Sequence, residues 1–393
     1  GRGSRDALSI LIAMDCPLDQ FFINNAKRLL STDLKSAVAD PTNVQQLTHH
    51  LVAAAWEHPL NIIGKDQLYF GTKLDKIVLK LSSRGQLKRL RDSMKFLCEA
   101  EVSPARSMGI RDVSEDSVSV IDEASGRTVE IMDSDAAPFK LYDGAVYMHQ
   151  GCSYVVKHLD LDSGLCQASK QNVDYYTEPR HHTRVAILGE ERCCRLNMLS
   201  MRPPEDSVLV RSGGVNISHH FYGYNKRGSG DSKILEKVDM SHLPAVEYTT
   251  KAVWIQLPNT LRKELQKLGL GPDQDAGTLH AIEHVIVSLC PLVISCDSLD
   301  LAGQCTRRDS DPCTHLILLY ERQKGGIGII SQIMDRMKDL LEIARERITA
   351  CKCKRGCPTC IHHPRCLDHN ESLEKEAAIA VLNLILKYCY QKK

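Results

Sequence analysis

Five cysteines fall within sixteen residues near the end of this 393-residue chain: Cys351, Cys353, Cys357, Cys360 and Cys366. Four of them stand as Cys351-Lys-Cys353-Lys-Arg-Gly-Cys357-Pro-Thr-Cys360. A C-P-x-C knuckle turns two thiolates to one side, and a second pair close by completes a tetrahedral four-sulfur site for Zn2+. Soft thiolates without an Asp/Glu set favour zinc over magnesium or calcium. A site with four protein ligands is closed, so the Zn2+ expected on Cys351, Cys353, Cys357 and Cys360 is structural. Lys352, Lys354 and Arg355 would offset the negative charge of a four-thiolate centre. Cys366 is the expected spare, with His362, His363 and His369 as lesser competitors. Reduced core cysteines fit poorly in a short polar stretch punctuated by Gly and Pro. A redox dithiol is the second alternative, since Cys357-Pro-Thr-Cys360 is formally C-x-x-C. Five thiols and no thioredoxin-like strand before them argue against it.

The other constellations are weaker. His280, Glu283 and His284 form H-x-x-E-H, the inverted zincin order, but the match is five residues long in an otherwise apolar helix. Core packing of at least one histidine is the preferred reading. Gly325-Gly326-Ile327-Gly328 lies between an apolar strand, Leu316–Tyr320, and a helix. Such a turn can hold phosphate at a helix N-terminus. It lacks the Lys-Ser/Thr of a P-loop, and close strand–helix packing is favoured. No G-x-x-x-x-G-K-[ST] and no G-x-S-x-G occurs in the chain.

These groups need a scaffold, and composition bounds it. At roughly 100–200 residues per domain, the length implies two to four domains. Lys+Arg number 50 against 49 Asp+Glu, a net +1, which excludes holding nucleic acid by bulk charge but not by a local patch. Sixteen cysteines are about 4% of the chain, below the ~8–10% of a short secreted disulfide scaffold. With no signal peptide apparent, a reducing, intracellular compartment is expected. No apolar run reaches the ~18–20 residues of a membrane span.

Along the chain, Gly1–Ser4 reads as an expression scar or a cut in mid-domain. Leu8–Met14 reads as a buried strand, so a fragment is expected, and Cys16–Leu30 as one or two short helices. Asn43–Glu57, Asp66–Phe70, Leu74–Leu81 and Leu87–Leu90 read as helical pieces before a possible wing. Arg84, Lys88, Arg89, Arg91 and Lys95 make that region locally basic and able to line phosphates, with a solvated helix face as the equal alternative. From about Pro104 the period becomes two. Ser117–Ile121, Thr128–Met132, Ala145–Met148, Tyr154–Leu159 and Val173–Tyr176 read as a small SH3-like or OB-like barrel. Strands continue over Thr183–Leu188, Val208–Val210, Val215–Tyr224 and Ala252–Leu257. Helices follow over Thr278–Leu289, Ile330–Ala350 and Leu373–Tyr388.

Several segments resemble the C-terminal half of the MrfA/Hrq family of superfamily 2, RecQ-like DNA repair helicases. Ser9–Phe22 (SILIAMDCPLDQFF) resembles the strand after the last helicase motif of the second RecA-like domain. Ala53–Leu60 (AAAWEHPL) resembles the winged-helix region, and Asp143–Gly151 (DGAVYMHQG) and Asn172–Thr177 (NVDYYT) the central β-domain. Leu279–Pro291, Tyr320–Ile329 and Cys351–Cys360 resemble the MrfA-type zinc-binding domain. Tyr320-Glu321 departs from the family's Tyr-Asp. Gly1–Arg5 stands near the place of the last helicase motif but out of register, so no catalytic residue is carried over.

The resemblance implies an α+β multidomain chain. Its parts would be the end of a RecA-like domain (1–34), a winged-helix-like module (35–103), a small β-barrel (104–190) and a C-terminal α/β zinc-binding domain (191–393). It implies a parent that hydrolyses ATP with Mg2+ in upstream motor domains and translocates 3′→5′ on DNA in repair, nuclear if eukaryotic. This chain, lacking the ATP-binding motifs, would be inactive alone. Accessory domains of such a motor hold single-stranded or forked DNA with basic grooves and aromatic platforms. Arg84, Lys88 and Arg89 would be the cations, and Tyr147 with His149, or Tyr175 and Tyr176, the platforms. Strand alternation makes one of the last two core. The competing readings are a non-enzymatic zinc scaffold for protein partners and a zinc hydrolase using His280, Glu283 and His284.

Overall fold

Pro17, fixed in φ, opens helix α1 (Pro17–Asn24), and α2 (Ala26–Ser31) follows. In this computed structural model, the described residues are 6–31, 38–91, 93–106, 117–196, 207–231, 233–240, 243–267, 272–307 and 315–390. Gly1–Arg5, near the expected place of the last helicase motif, lies outside them. Two compact units emerge. One gathers Gly1–Asp40, Ile187–Val215 and Thr250–Lys393, and the other Pro41–Ala186 and Asn216–Thr249. No helix among the described residues is long and apolar enough to cross a membrane.

The second unit begins with a small helical module. Asn43 accepts from the Gln45 and Gln46 amides and so caps α3 (Val44–Glu57). Then come β1 (Leu60–Asn61), α4 (Asp66–Phe70), α5 (Leu74–Ser83), β2 (Lys88–Arg89) and β3 (Lys95–Leu97), with the strands ordered β1-β3-β2. The apolar residues of α3 and α5, among them Leu51, Leu74, Val78 and Leu81, close on Phe96 as a separate core. Leu87–Leu90, expected as helix, holds strand β2 instead. Gly85 at φ 75° ends the helical path, and Lys88 and Arg89 then pair with Leu97 and Phe96.

Next stands a five-stranded sheet of β4 (Ser117–Asp122), β5 (Thr128–Asp133), β6 (Val146–His149), β7 (Cys152–Asp160) and β8 (Leu165–Lys170), ordered β5-β4-β8-β7-β6. Four of the five expected barrel strands are present. The fifth is β8, whose small buried residues Cys166 and Ala168 gave little strand signal. Val173–Tyr176 instead leads into β9 (Tyr175–Arg195), which runs through the expected boundary at residue 190 and pairs with β10 (Leu209–Gly228). The sheet is half a barrel. Among the described residues β5 and β6 share no ladder, and side chains join them: Tyr147 and His149 both reach the Glu130 carboxylate.

The chain continues through β11 (Ile234–Asp239), β12 (Val246–Gln256), α7 (Asn259–Lys267), α8 (Pro272–Leu289), β13 (Leu301–Arg307), β14 (His315–Glu321), α9 (Ile329–Ala350) and α10 (Lys375–Tyr390). In the first unit β14 pairs antiparallel with both β12 and β13, and α8, α9 and α10 build the largest core. Val285, Ile286, Ile333, Leu340 and Leu382 are buried there. Leu8–Met14 is a correction. It is exposed and outside any strand, because an apolar run makes a strand only where a neighbour completes its hydrogen bonds, and none does among the described residues.

Candidate metal centre

Helix α9 delivers the first thiol. Its buried face runs to Ile348, and the backbone turns extended at Cys351. Cys353 follows, and Gly356 at φ 139° swings the chain back. A Cβ there would sit 2.7 Å from Ile361 Cδ1, so the turn needs glycine twice over. The Cys360 and Ile361 amides donate to the Cys357 carbonyl at 3.0 and 3.2 Å, closing the knuckle.

The four sulfurs converge, each ligand atom within 4.8 Å of the others. Cys351–Cys353, Cys351–Cys357 and Cys353–Cys360 are 3.5 Å apart, and Cys357–Cys360 3.6 Å. Thiolates on a tetrahedral zinc at a Zn–S distance of about 2.3 Å stand about 3.8 Å from one another. A disulfide would need about 2.05 Å. The cluster therefore fits a zinc ion and not a pair of disulfides.

The environment favours thiolate at Cys351, while burial pushes the Cys353 and Cys360 thiols up. Burial alone would raise the Cys351 thiol, but the Cys353 amide, the Thr359 hydroxyl and the neighbouring thiols bring it down to about 6. Thr359 Oγ1 lies 3.0 Å from Cys357 Sγ, and Arg347 Nε donates to the Thr359 carbonyl at 2.7 Å. Lys352, Lys354 and Arg355, expected to balance the charge, are exposed. The buried ammonium is Lys375, at the start of α10. It donates to the Cys351 and Cys353 carbonyls, both at 2.6 Å, and to Cys353 Sγ at 3.4 Å.

Cys366 stands apart from the four, in a second group with His280 and His284. Burial pushes His284 down to about 3, against a pull upward from the Ile361 carbonyl, and lowers His280 and His363 as well. Glu283 is buried against Gly303. In the Gly-rich turn the anion position is already filled. The buried Glu321 carboxylate accepts from the Ile330 amide at 2.8 Å and from the Ile327 amide, capping α9 where a phosphate would bind.

In the other unit, Arg84 ends α5 and is exposed, as are Lys88 and Arg89 on β2. Lys88 pairs with Glu99 at 2.8 Å, and Arg89 Nε donates to the Ser93 carbonyl at 2.9 Å. Lys73, Lys76 and Lys80 are exposed too, and with Arg84 their spacing of three, four and four places them along one face of α5. That row was missed because helical spacing scatters it through the sequence. Tyr147 is buried and its hydroxyl donates to Glu130, so its ring has no free face for a base. His149 is half-buried, its Nδ1 2.8 Å from the same carboxylate. Tyr175 is half-buried under the Lys226 ammonium, 5.7 Å from its ring centroid, and Tyr176 is exposed.

Two families match parts of the chain: "MrfA Zn-binding domain" over residues 282–361, and "ATP-dependent helicase HRQ1, winged helix domain" over 39–113. ATP-dependent helicase HRQ1 of Saccharomyces cerevisiae is 26% identical over 402 residues, covering 98% of this chain and 36% of that protein. Uncharacterized ATP-dependent helicase YprA of Bacillus subtilis is 26% identical over 368 residues, covering 92% of this chain and 46% of that protein. The crystal structure of the DUF1998 helicase MrfA bound to DNA shares the fold, with a TM-score of 0.50 and 24% identity over 94% of this chain and 46% of that one. The chain spans less than half the length of each.

Proposed function

Because the chain belongs to the MrfA/Hrq type of helicase, we propose that it is the C-terminal accessory region of an ATP-dependent 3′→5′ DNA helicase acting in DNA repair. Single-stranded or forked DNA is its ligand and the upstream motor domains are its partner. ATP and Mg2+ belong to those motor domains. A structural Zn2+ is held by Cys351, Cys353, Cys357 and Cys360. In this reading residues 1–34 end a RecA-like domain, 35–103 form the winged helix, 104–190 hold the half-barrel and the first part of β9, and 191–393 hold the zinc domain, apart from residues 216–249, which fall in the unit of the half-barrel. The work is intracellular, and nuclear in a eukaryote.

The observation that carries the reading is the row Lys73, Lys76, Lys80 and Arg84 on the third helix of a winged-helix arrangement, with Lys88 and Arg89 on its wing. A helix face of this kind neutralises successive phosphates. Each neutralised phosphate adds about −0.7 to −0.9 to the slope of log K against log salt. Tyr176, exposed at the start of β9, is the platform able to stack a base. The zinc would fold residues 351–360 together at the end of α9, and Lys375 at the start of α10 is hydrogen-bonded to that segment through the Cys351 and Cys353 carbonyls.

The test is fluorescence anisotropy with labelled forked and duplex DNA from 20 to 200 mM salt. Wild type should bind with a steep salt slope. The K76E/K80E/R84E variant should weaken binding across sequences and flatten the slope by about 2–3. No binding at low salt, or a variant with an unchanged slope, overturns the assignment of this face. Protein-partner binding that survives the same charge reversal would favour a scaffold instead.

A further inference from the structure

Helix α8 and the loop after the knuckle bring together a second set of metal-ligating side chains. His280 and His284 lie one turn apart on α8, with ring centroids 4.2 Å apart. Cys366 faces them from a loop 86 residues further along the chain, its sulfur 3.8 Å from His280 Nε2. The three ligand atoms all lie within 4.8 Å of one another. Around a tetrahedral zinc, a nitrogen at about 2.0–2.1 Å and a sulfur at about 2.3 Å stand about 3.6 Å apart.

The groups around these three orient them as ligands. His284 Nδ1 is 2.9 Å from the Ile361 carbonyl oxygen. A carbonyl can only accept, so Nδ1 carries the proton and Nε2 keeps its lone pair, the second-shell arrangement usual for a ligating imidazole. The Asn370 amide donates to Cys366 Sγ at 3.3 Å. It can do so because His369 and Asn370 both take left-handed backbone, at φ 49° and 64°. The Asn370 side chain fixes that turn, accepting from the His363 amide at 2.8 Å and donating to the His363 carbonyl at 3.1 Å.

We propose that His280, His284 and Cys366 form a second transition-metal site, separate from the four-thiol centre. Its donor set of two imidazoles and one thiolate takes Zn2+ and leaves the fourth tetrahedral position open to water or a small anionic ligand. Glu283, whose Oε2 lies 3.9 Å from His280 Nε2, places a carboxylate beside that set. The site ties α8 to the loop between the knuckle and α10, an anchorage that the four thiols do not supply.

The test is metal stoichiometry on the whole chain, stripped with chelator and titrated with Zn2+, then with Co2+ as the spectroscopic probe. Wild type should take up two equivalents. Cys366→Ser and His280→Asn should take up one, with the cobalt spectrum of the four-thiolate centre retained. Cys357→Ser removes the closed site and with it the fold of the zinc domain, so the two sites are told apart by Cys366→Ser and His280→Asn, which must keep the cobalt spectrum of the four-thiolate centre. His280 is partly exposed, so His280→Asn decides the matter if Cys366→Ser fails to fold. A wild type that saturates at one equivalent overturns the proposal. So does a second equivalent that persists in both His280→Asn and Cys366→Ser.

Discussion

Replacing Lys375 by Met keeps the length and apolar stem of the side chain and removes its ammonium. Three hydrogen bonds go with it: two to the Cys351 and Cys353 carbonyls at 2.6 Å and one to Cys353 Sγ at 3.4 Å. A hydrogen bond to a charged group is worth about 1.5–3 kcal/mol, and breaking a buried pair by removing one partner costs about 3–5 kcal/mol. Part is recovered because the ammonium itself no longer needs to be desolvated. A loss of about 2–4 kcal/mol in the zinc-loaded state is expected. Since Lys375 touches a ligating thiol, zinc affinity should fall about 10–100-fold, the usual effect of removing an outer-shell partner. The assay is competition against chelators of graded affinity, with urea unfolding of the loaded protein alongside. Lys354→Met is the control, since Lys354 is exposed and should change neither. The reasoning fails if Lys375→Met holds zinc as tightly as wild type. It also fails if neutralising Lys352, Lys354 and Arg355 weakens zinc more than Lys375→Met does.

Cys360→Ser should abolish cooperative melting of the zinc domain, since the binding energy of a structural zinc is folding energy; a melt unchanged from wild type would refute the closed site. Gly356→Ala should cost about 1–3 kcal/mol of stability by urea titration, because φ 139° is a glycine conformation and Ile361 crowds the added carbon. Glu321 gives a pH signature. Burial raises its carboxyl above the ordinary value, against the Ile327, Ile330 and Gly328 amides that lower it. Its folded form therefore binds the proton at a higher pH than its unfolded form. The stability linked to that uptake is fully present below the unfolded value and is lost as pH rises through the raised one. The stability of wild type relative to Glu321→Gln should thus fall from acid to neutral pH, and a difference flat across that range would contradict it.

Much of the fold was legible where one segment determines its own structure. The helical spacing of apolar residues in Asn43–Glu57 marked α3, and the amphipathic period of Ile330–Ala350 marked α9 within a residue. The failures share a cause. Leu87–Leu90 has helix-forming residues, yet its backbone is decided by Phe96 and Leu97 across the wing. Leu8–Met14 has strand composition, yet a strand also needs a neighbour. Strand β8 hid because Cys166 and Ala168, small residues that carry weak strand preference, are what its buried face holds.

The same division between local and distant partners governs the sites. The four thiols lie within ten residues, so their ligand spacing could be read directly, and the structure brings them to zinc-like separations. The ammonium that serves them could not be read that way. Cationic residues adjacent in sequence point to solvent, while Lys375 arrives from α10. Cys366 looked spare for the same reason, because His280 and His284, which it faces, lie 86 and 82 residues upstream on α8. The net charge of +1 follows this logic as well. A sum over the chain cannot register that Lys73, Lys76, Lys80 and Arg84 share one helix face, and a phosphate backbone meets faces rather than sums. Near-neutrality is therefore compatible with binding DNA, on the condition that the binding resides in that row. A charge reversal elsewhere on the surface, such as Lys233→Glu on an exposed lysine paired with Asp231, should leave the salt slope intact, while K76E/K80E/R84E should not. If both variants flatten the slope equally, the binding is diffuse and the face has no special role.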